Sequence, residues 1–199
     1  MTSNTNNKIY SGTFQHTLEN IRHCSLCQSS LPLPARPVVQ LHPHARILII
    51  GQAPGLLAHN SHTPWNDPSG DRLRGWLNVS RSQFYDPTLF AIMPMGFCYP
   101  GKKNGGDAPP SPACAPAWHN RIWQLIQPDL TILVGSYAQK YYLPTYSTLT
   151  EAVNAHVGDE GMFVLPHPSG RNNRWLKQNE AALNNQLSAI RNKLQAYLE

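Results

Sequence analysis

The sequence has few of the features that place a protein in a membrane or outside the cell. No apolar run approaches the roughly 18 residues that a membrane-spanning helix needs. The N-terminus, MTSNTNNKIYSG, is polar and lacks the apolar segment of a secretory signal. The chain contains no internal repeat, no low-complexity block and no G-x-S-x-G motif of the kind that esterases use. We therefore expect a soluble, cytoplasmic protein with no membrane partner.

Cysteine is also scarce, with four residues in a chain of 199. The length and a hydrophobic content of 41% suit one globular domain with a core that needs no disulfides. The polar start predicts a flexible tail over residues 1–12 and a single domain over residues 13–199. The net charge of +5 and the pI of about 9.1 favour a polyanionic partner, although many basic proteins bind no nucleic acid.

Short apolar runs alternate with segments of helical periodicity along the chain. The clearest run lies in Arg46 to Gly55, RILIIGQAPG, where four consecutive aliphatic residues predict a strand buried on both faces. Because strands alternate with helices, we expect a parallel sheet with helices on both faces. The predicted strands are residues 47–50, 89–93, 130–135 and 162–165. The predicted helices are residues 13–21, 70–77, 116–126, 136–143, 148–156 and 175–198, with 56–70 irregular and 99–113 a surface loop.

Two of these strands end in loops that carry chemically useful groups. The first strand stops at the glycine-rich loop 51–55, and the last is followed by His167-Pro-Ser-Gly170. Both loops are expected at the same edge of a parallel sheet, where open α/β sheets bind ligands. His167 can donate a hydrogen bond or balance a developing negative charge. Each feature also has a structural interpretation. The loop 51–55 can be an ordinary strand-to-helix turn, and His167 can be a histidine that only supports a turn.

Trp65 lies beside Pro64 in the irregular segment between these loops. An aromatic ring in such a position can stack on a flat heterocycle. Packing in the hydrophobic core is the other interpretation.

The four cysteines form a pattern that suits metal ligation. Cys24 and Cys27 form C-x-x-C directly after the first predicted helix, and Cys98 and Cys114 enclose the loop 99–113. In a cytosolic chain, disulfides are disfavoured and metal or redox roles are favoured. Four thiolates suit either a 4Fe–4S cluster or tetrahedral zinc, and the spacing does not separate the two. Four cysteines without a ligand are the third possibility.

The ordered combination of these motifs resembles the uracil-DNA glycosylase superfamily. The resemblance rests on GQAPG after a buried strand, Pro64-Trp65 about ten residues later, LVGSYA after the third strand, and His167-Pro-Ser169. The cysteines are similar to those of family four, the iron–sulfur branch, which has C-x-x-C near its start, a distant third cysteine and a fourth about fifteen residues further on. The match runs from about residue 13 to residue 194.

This resemblance implies a fold, an activity, a cofactor and a partner. The fold is α/β, a three-layer α/β/α arrangement with a four-stranded parallel sheet. The activity is that of a DNA glycosylase that hydrolyses the N-glycosidic bond of uracil or a related deaminated base. The partner is DNA, no protein partner is inferred, and we expect a monomer. The cofactor is a structural 4Fe–4S cluster, or alternatively zinc, on Cys24, Cys27, Cys98 and Cys114.

The resemblance also implies roles for individual residues. A base swung out of the DNA would enter beneath the loop 51–55 and stack on Trp65, and His167 would stabilise negative charge on the leaving uracil. Backbone amides near Gln52 would hold a carbonyl oxygen of the base. The implied catalytic residues are His167 and Gln52; the substrate-binding residues are Gly51, Ala53, Pro54, Gly55, Trp65, Asn66 and Ser169; the DNA-binding residues are Lys102, Lys103, Arg171 and Arg174.

Three positions depart from the family patterns. The main branch has Asp at the third position of the first motif to place the water, and this chain has Ala53. Family four has Glu at the second position, here Gln52, and an Asn that reads the uracil edge, here Pro94. Proline has no side-chain hydrogen bond to offer, and Asn66 and Asn172 are the candidates to replace it.

These departures keep a second function open. It is a non-catalytic nucleic-acid-binding protein that has kept the glycosylase fold. A small-molecule hydrolase or nucleotide-binding enzyme is disfavoured, because the loop 51–55 matches neither G-x-G-x-x-G nor the P-loop pattern.

Overall fold

The computed structural model describes the backbone of residues 3–155 and 161–198, and side chains from residue 13 onward within those ranges. Within this part of the chain, strands pair as one parallel sheet and one short antiparallel hairpin. The strands are β1 Ile47–Ile50, β2 Phe90–Ile92, β3 Lys102–Lys103, β4 Gly106–Asp107, β5 Leu130–Val134 and β6 Met162–Leu165. The sheet has the order β2-β1-β5-β6, and the hairpin joins β3 to β4.

Helices cover both faces of the sheet. They are α1 Ser3–Arg22, α2 Leu56–Ser61, α3 Pro68–Leu77, α4 Arg81–Phe84, α5 Cys114–Ile126, α6 Ser136–Tyr142, α7 Leu149–Asn154, α8 Asn173–Gln178 and α9 Glu180–Leu198. Short 3₁₀ turns occupy Gln28–Ser30 and Gly170–Asn172. Among the described residues, no helix combines the length and the apolar composition needed to cross a membrane.

Alternate residues of β1 feed two separate cores. Leu48 and Ile50 pack with side chains from α1, α5, α6 and α7 on one face. Ile47 and Ile49 pack with side chains from α3, α4 and α9 on the other. All four residues are fully buried, which explains why the strand reads as a continuous apolar run rather than an alternating one. The predicted three-layer α/β/α fold with a four-stranded parallel sheet is therefore confirmed.

The order of the strands indicates where along the edge of the sheet a binding crevice lies. The chain passes from β1 to β2 at one edge, then returns to the other side of β1 to form β5 and β6. The carboxyl ends of β1 and β5 are thus a topological switch point, where the loops diverge and leave a crevice. Gly135, which follows β5 with φ of 91°, adopts a positive-φ conformation that glycine tolerates, and the chain enters α6 directly after it.

Several element predictions were wrong in detail. The segment 56–70 is not wholly irregular, because it forms α2 and the start of α3, with Asp67 capping α3 by accepting from the Gly70 N–H at 2.8 Å. The loop 99–113 contains the β3–β4 hairpin. The long helix 175–198 is two helices that break at Asn179.

The N-terminal helix begins earlier than the predicted residue 13. The flexible tail over residues 1–12 and the single domain over residues 13–199 stay predictions. Residue 156, the predicted end of the helix 148–156, lies outside the described residues.

Candidate active site

A cleft of about 400 Å³ opens at the carboxyl edge of the sheet. The segments that follow all four parallel strands contribute to its walls: the loop 51–55 after β1, Pro94 after β2, Gly135–Tyr137 after β5 and His167 after β6. The expectation that the first loop and His167 share one cleft is confirmed. The cleft walls also include Val38, Ala58, Pro64, Trp65, Asp67, Ser69, Ile92, Gly106, Asp107, Leu149, Ser169, Arg171 and Asn172.

The loop 51–55 forms one wall of this cleft and is tied to the neighbouring segments. The carbonyl oxygens of Gly51 and Gln52 accept from the N–H groups of Met95 and Gly96 at 2.8 and 3.0 Å. The Gln52 side chain donates from Nε2 to the Ala108 carbonyl at 3.2 Å. The side chain of Gln52 thus spans from the first loop to the segment after β4, and its position is set by both.

Glycine at position 51 is required by a close approach. A Cβ atom on Gly51 would lie 2.7 Å from Cζ2 of Trp65, a separation that real Cβ contacts do not show. The indole ring therefore lies directly against the backbone where β1 ends. This contact is the local reason for a glycine at the first position of the loop.

The His167 ring has a defined hydrogen-bonding state. Its Nδ1 accepts from the Ser169 backbone N–H at 3.2 Å, so that the neutral ring carries its proton on Nε2. Burial lowers the pKa of His167 below the ordinary value of 6.5, and the nearby carboxylates of Asp67 and Asp107 partly oppose this effect. At neutral pH the ring is therefore neutral, with Nε2–H as its donor.

Trp65 packs on His167, with ring centroids 5.4 Å apart and planes inclined by 33°. The half-buried indole both borders the cleft and packs against the core on the α3 side of the sheet. Its backbone has φ of 56°, a left-handed conformation that is uncommon outside glycine. Core packing and exposure to a ligand, the two interpretations of Trp65, are therefore combined in one side chain.

Two side chains, the buried Arg74 and the half-buried Tyr85, hold the Trp65 backbone in that conformation. Arg74, which is 5% exposed, donates from Nη1 to the Trp65 carbonyl at 3.2 Å. The Tyr85 hydroxyl donates to the Pro64 carbonyl at 2.9 Å and lies 3.2 Å from the same guanidinium nitrogen. We call Arg74 and Tyr85 the Trp65 clamp. Gly70 allows the close approach, since any side chain there would overlap the Trp65 carbonyl.

Two carboxylates that the sequence did not identify as site residues border the cleft. An atom at the Cβ position of Gly55 would lie 3.3 Å from Oδ2 of Asp107 and 3.9 Å from Oδ2 of Asp67. Asp67 comes from the start of α3 and Asp107 from the β3–β4 hairpin. The N-D-P sequence signals a helix cap, which accounts for Asp67 without suggesting a site. The hairpin position of Asp107 carries no sequence signal for a role in the cleft.

Pro94 lines the cleft, and its carbonyl is already occupied. Nε2 of the buried His119 donates to the Pro94 oxygen at 3.1 Å, since a carbonyl can only accept, and Nδ1 accepts from the Tyr142 hydroxyl at 2.7 Å. Burial lowers the pKa of His119 to about 4. The two candidates to replace Pro94 are placed differently: Asn172 lines the cleft and donates to the His167 carbonyl at 2.7 Å, whereas Asn66 bonds to Arg81 and does not line it.

The predicted DNA-binding residues fall into two groups. Arg171 borders the cleft and donates to the Asn104 carbonyl at 3.3 Å, which joins the His167 loop to the hairpin turn. Lys102, Lys103 and Arg174 are exposed and lie outside the cleft lining. Ser169, predicted to bind substrate, lines the cleft and holds the His167 ring through its backbone.

The four cysteines line a second, much smaller cavity of about 20 Å³. Burial raises the pKa of Cys98 to about 11 and that of Cys114 to about 12, so both are protonated thiols at neutral pH unless a metal displaces the proton. The Phe97 N–H donates to the Cys114 sulfur at 3.4 Å, a contact of the kind that supports a ligating thiolate. The donor set suits a thiolate-bound metal. Over the described residues, no group of three or more His, Cys, Asp or Glu side chains is arranged around a metal-ion position, and the metal stays a prediction.

A family model described as the uracil DNA glycosylase superfamily matches residues 38–191. The matched span contains the four strands of the parallel sheet and every residue named above as lining the cleft. It also contains Cys98 and Cys114, whereas Cys24 and Cys27 precede it. Since the match covers well over half of the chain, and the loops that carried the resemblance meet in one cleft, this chain belongs to the uracil DNA glycosylase superfamily.

Proposed function

We propose that this protein is a DNA glycosylase that hydrolyses the N-glycosidic bond of uracil or a related deaminated base in DNA. The observation that carries the proposal is the shared cleft: the loop after β1 and His167 border one space of about 400 Å³. Glycosylases must take the base out of the helix into such a pocket, at a cost of a few kcal/mol. Uracil, a single flat ring, is small compared with this volume.

In this proposal His167 acts as a hydrogen-bond donor to the leaving base. As the glycosidic bond breaks, its electron pair remains on the base and negative charge develops there. The neutral ring offers Nε2–H, because Nδ1 is occupied by the Ser169 amide. A donor held in place before the reaction stabilises developing charge without reorganisation. The Trp65 indole, which is held against His167 by the Trp65 clamp, provides a flat apolar surface for the base.

The alternative, a nucleic-acid-binding protein without catalysis, is favoured by two positions in the cleft. Ala53 presents a methyl group where the main branch of the superfamily has a carboxylate, and Pro94 presents no side-chain donor or acceptor. Neither can activate water or read the edge of a base. The two functions differ in product: the alternative predicts salt-dependent DNA binding and no free base.

Chromatography of the released bases separates the two functions. The full-length protein is incubated with single-stranded oligonucleotides that contain one uracil, hypoxanthine or xanthine, and with the matched thymine oligonucleotide as control. The glycosylase releases a free base from at least one of the first three and leaves an alkali-labile site. Binding to all of the oligonucleotides with no base released from any of them would favour the alternative.

We further propose that Cys24, Cys27, Cys98 and Cys114 hold a 4Fe–4S cluster, with zinc as the alternative on the same thiolates. Support comes from the four side chains that line one cavity and from the Phe97 amide directed at the Cys114 sulfur. Bound there, the metal centre links the chain after α1 to the segment 98–114. Iron, sulfide and zinc analysis of anaerobically purified protein, with its visible spectrum, separates the two: a broad band near ~400 nm indicates the cluster, and colourless zinc protein contradicts it.

DNA is the proposed partner, and its backbone is proposed to contact the exposed cations of the hairpin and of the His167 loop. Lys102 and Lys103 lie on the hairpin, and Arg171 and Arg174 follow His167. The overall charge of +5 is in keeping with a polyanionic partner. A monomer is proposed as the working state, and light scattering of the free protein tests it.

A further inference from the structure

The proposed reaction needs a group that acts on the attacking water, and the loop 51–55 does not supply one. Ala53 carries only a methyl group, and Gln52 is an amide that cannot accept a proton at neutral pH. His167 is proposed to act on the leaving base, so it is not available for the water. A residue elsewhere in the cleft must therefore perform this task if hydrolysis occurs.

The burial of the cleft walls indicates where the sugar of a bound nucleotide would lie. Gly51, Ile92 and Pro94, at the strand ends, are buried and form the floor. Gly55 is half-buried and Asp107 is exposed, so these residues lie at the mouth. A nucleotide that swings out of DNA enters base first, because its sugar stays attached to the strand outside. The C1′ atom therefore lies nearer to the mouth than the base does.

Asp107 presents a carboxylate at this mouth. Its Oδ2 lies 3.3 Å from the Cβ position of Gly55, so the carboxylate faces the open side of the glycine backbone rather than pairing with a cation. In the described part of the chain, the salt bridges found are Arg46–Asp129 and Arg74–Asp71, and neither includes Asp107. Asp67 and, to a lesser degree, Asp107 are near enough to His167 to oppose the lowering of its pKa by burial.

The hairpin that carries Asp107 is held against the His167 loop. Arg171 donates to the Asn104 carbonyl in the hairpin turn, and its guanidinium packs against Gly106 so closely that a side chain there would overlap it. On the other side, the Ala108 carbonyl accepts from Gln52. The residues on both sides of Asp107 are thus anchored to two different walls of the cleft, which fixes the backbone that carries the carboxylate.

We propose that Asp107 is the general base of the hydrolysis, supplying from the hairpin the carboxylate that the first loop lacks. The water oxygen forms a bond to C1′ as the bond from C1′ to the base nitrogen breaks. The bonding pair leaves with the base, where His167 stabilises it. One water proton passes to the Asp107 carboxylate and then to solvent, and the base takes up a proton from solvent. This proposal rests on the proposed glycosylase function.

Asp67 is the competing carboxylate at the same glycine, and its geometry is less suited. Its Oδ1 accepts from the Gly70 N–H as the cap of α3, and its Oδ2 lies farther from Gly55 than that of Asp107. Asn is an equally good helix cap, so Asp67→Asn removes the charge without removing the cap. This substitution is therefore a matched comparison for Asp107→Asn.

Single-turnover release of the base that wild type accepts tests the proposal, with Asp107→Asn, Asp67→Asn and the surface variant Asp129→Asn measured together. General-base loss lowers the rate constant about 100- to 10,000-fold for Asp107→Asn, and Asp129→Asn stays at the wild-type value. Binding to an oligonucleotide with a cleavage-resistant 2′-fluorinated uridine stays within about twofold of wild type, because a removed anion does not weaken attraction to DNA. Formate, a small carboxylate, restores part of the rate to Asp107→Ala.

Two outcomes overturn the assignment while leaving the proposed function intact. One is a wild-type rate for Asp107→Asn in a protein that releases base. The other is a loss confined to Asp67→Asn, which would transfer the role to Asp67. If the wild-type protein releases no base from any substrate, the proposed glycosylase function itself is contradicted. This result differs from the two outcomes that overturn only the role of Asp107. Thermal unfolding of each variant identifies any loss of rate that comes from misfolding.

Discussion

The cleft and the cysteine cavity differ in almost every property, yet one stretch of chain builds part of both. The cleft is about 400 Å³ and combines loops, a histidine and carboxylates; the cavity is about 20 Å³ and is lined by four thiols among mostly apolar side chains. After β2, Pro94 faces the cleft, whereas Gly96 to Cys98 face the cavity. The segment then carries Asp107 to the cleft before it returns to the cavity at Cys114.

This difference indicates a division of labour. The groups proposed for chemistry lie on loops that a nucleotide can reach, whereas two of the proposed metal ligands, Cys98 and Cys114, lie where burial raises the pKa of their thiols. Because Cys98 and Cys114 are the two ends of the segment that bears the hairpin, ligation of both would limit the movement of Asp107. The cavity would then support the cleft without touching the substrate.

The largest effect is expected from Cys114→Ser. Loss of one thiolate from a structural metal site removes binding energy that is also folding energy, which reaches about 10 kcal/mol in small zinc domains. We expect loss of metal, a sharply lower yield of soluble protein and a lower Tm. Ser111→Ala, which removes the hydroxyl 2.9 Å from the Cys27 sulfur but no thiol, is the control. Equal metal content and equal Tm in wild type and Cys114→Ser would mean that Cys114 contributes neither to metal binding nor to the stability of the fold.

The next effect comes from the Trp65 clamp. Arg74→Met leaves the Trp65 carbonyl without its buried donor and removes one of the two partners of the Tyr85 hydroxyl, a loss of about 2–4 kcal/mol in the free energy of unfolding. Arg72→Met, two residues earlier on α3, removes a more exposed guanidinium that bonds to Asn173 and should cost less than about 0.5 kcal/mol. Urea unfolding compares the two. Equal losses would mean that Arg74 does not hold the cleft wall.

Acid should weaken the contact behind Pro94. Because the pKa of His119 is about 4 in the folded protein and about 6.5 when unfolded, the unfolded chain binds a proton over that interval that the folded protein does not. The stabilisation is complete above pH 6.5 and is lost as the pH falls to about 4, by about 3 kcal/mol. Between pH 7 and pH 4.5, the urea midpoint of unfolding should therefore fall further for wild type than for His119→Gln. An equal fall in the two proteins would contradict this.

The smallest effect is expected from the exposed lysines of the β3–β4 hairpin. The double variant Lys102→Ala and Lys103→Ala should weaken binding to single-stranded DNA of any sequence, with the slope of log K against log salt falling by about 0.7 per lost phosphate contact. Lys193→Ala, on α9, removes an exposed lysine that is not near the hairpin in sequence. Identical salt slopes for the double variant and wild type would exclude the hairpin from the DNA contact.

The sheet was predictable because its signal is local. Ile47–Ile50 and Met162–Leu165 coincide with the predicted strands, since a strand buried on both faces must be apolar at every position. The shared edge of the two loops then follows from parallel topology rather than from either loop. Helices with weaker patterns were less predictable: α2 follows the first loop without a side-chain cap, and the break at Asn179 separates two stretches of helix-forming residues.

The rest of the site depends on contacts between distant residues. The conformation of Trp65 is set by Arg74 and Tyr85, and no local pattern predicts a left-handed tryptophan. Asp107 reaches the cleft because Arg171, far along the chain, holds its hairpin. Asn66, predicted to contact substrate, lies outside the cleft lining and bonds to Arg81, whereas Asn172 lines the cleft. Contacts of this kind, between residues that are distant in the sequence, cannot be predicted from the spacing of motifs.

The central claim is that His167 acts on a base bound beside the loop 51–55. Its most direct test is the single-turnover rate constant of base release by wild type and His167→Ala, with the DNA dissociation constant measured in parallel. We predict that the rate constant falls about 100- to 1,000-fold, as for loss of one donor to a developing anion, while the dissociation constant changes less than about threefold. Equal rate constants for the two proteins would contradict the claim.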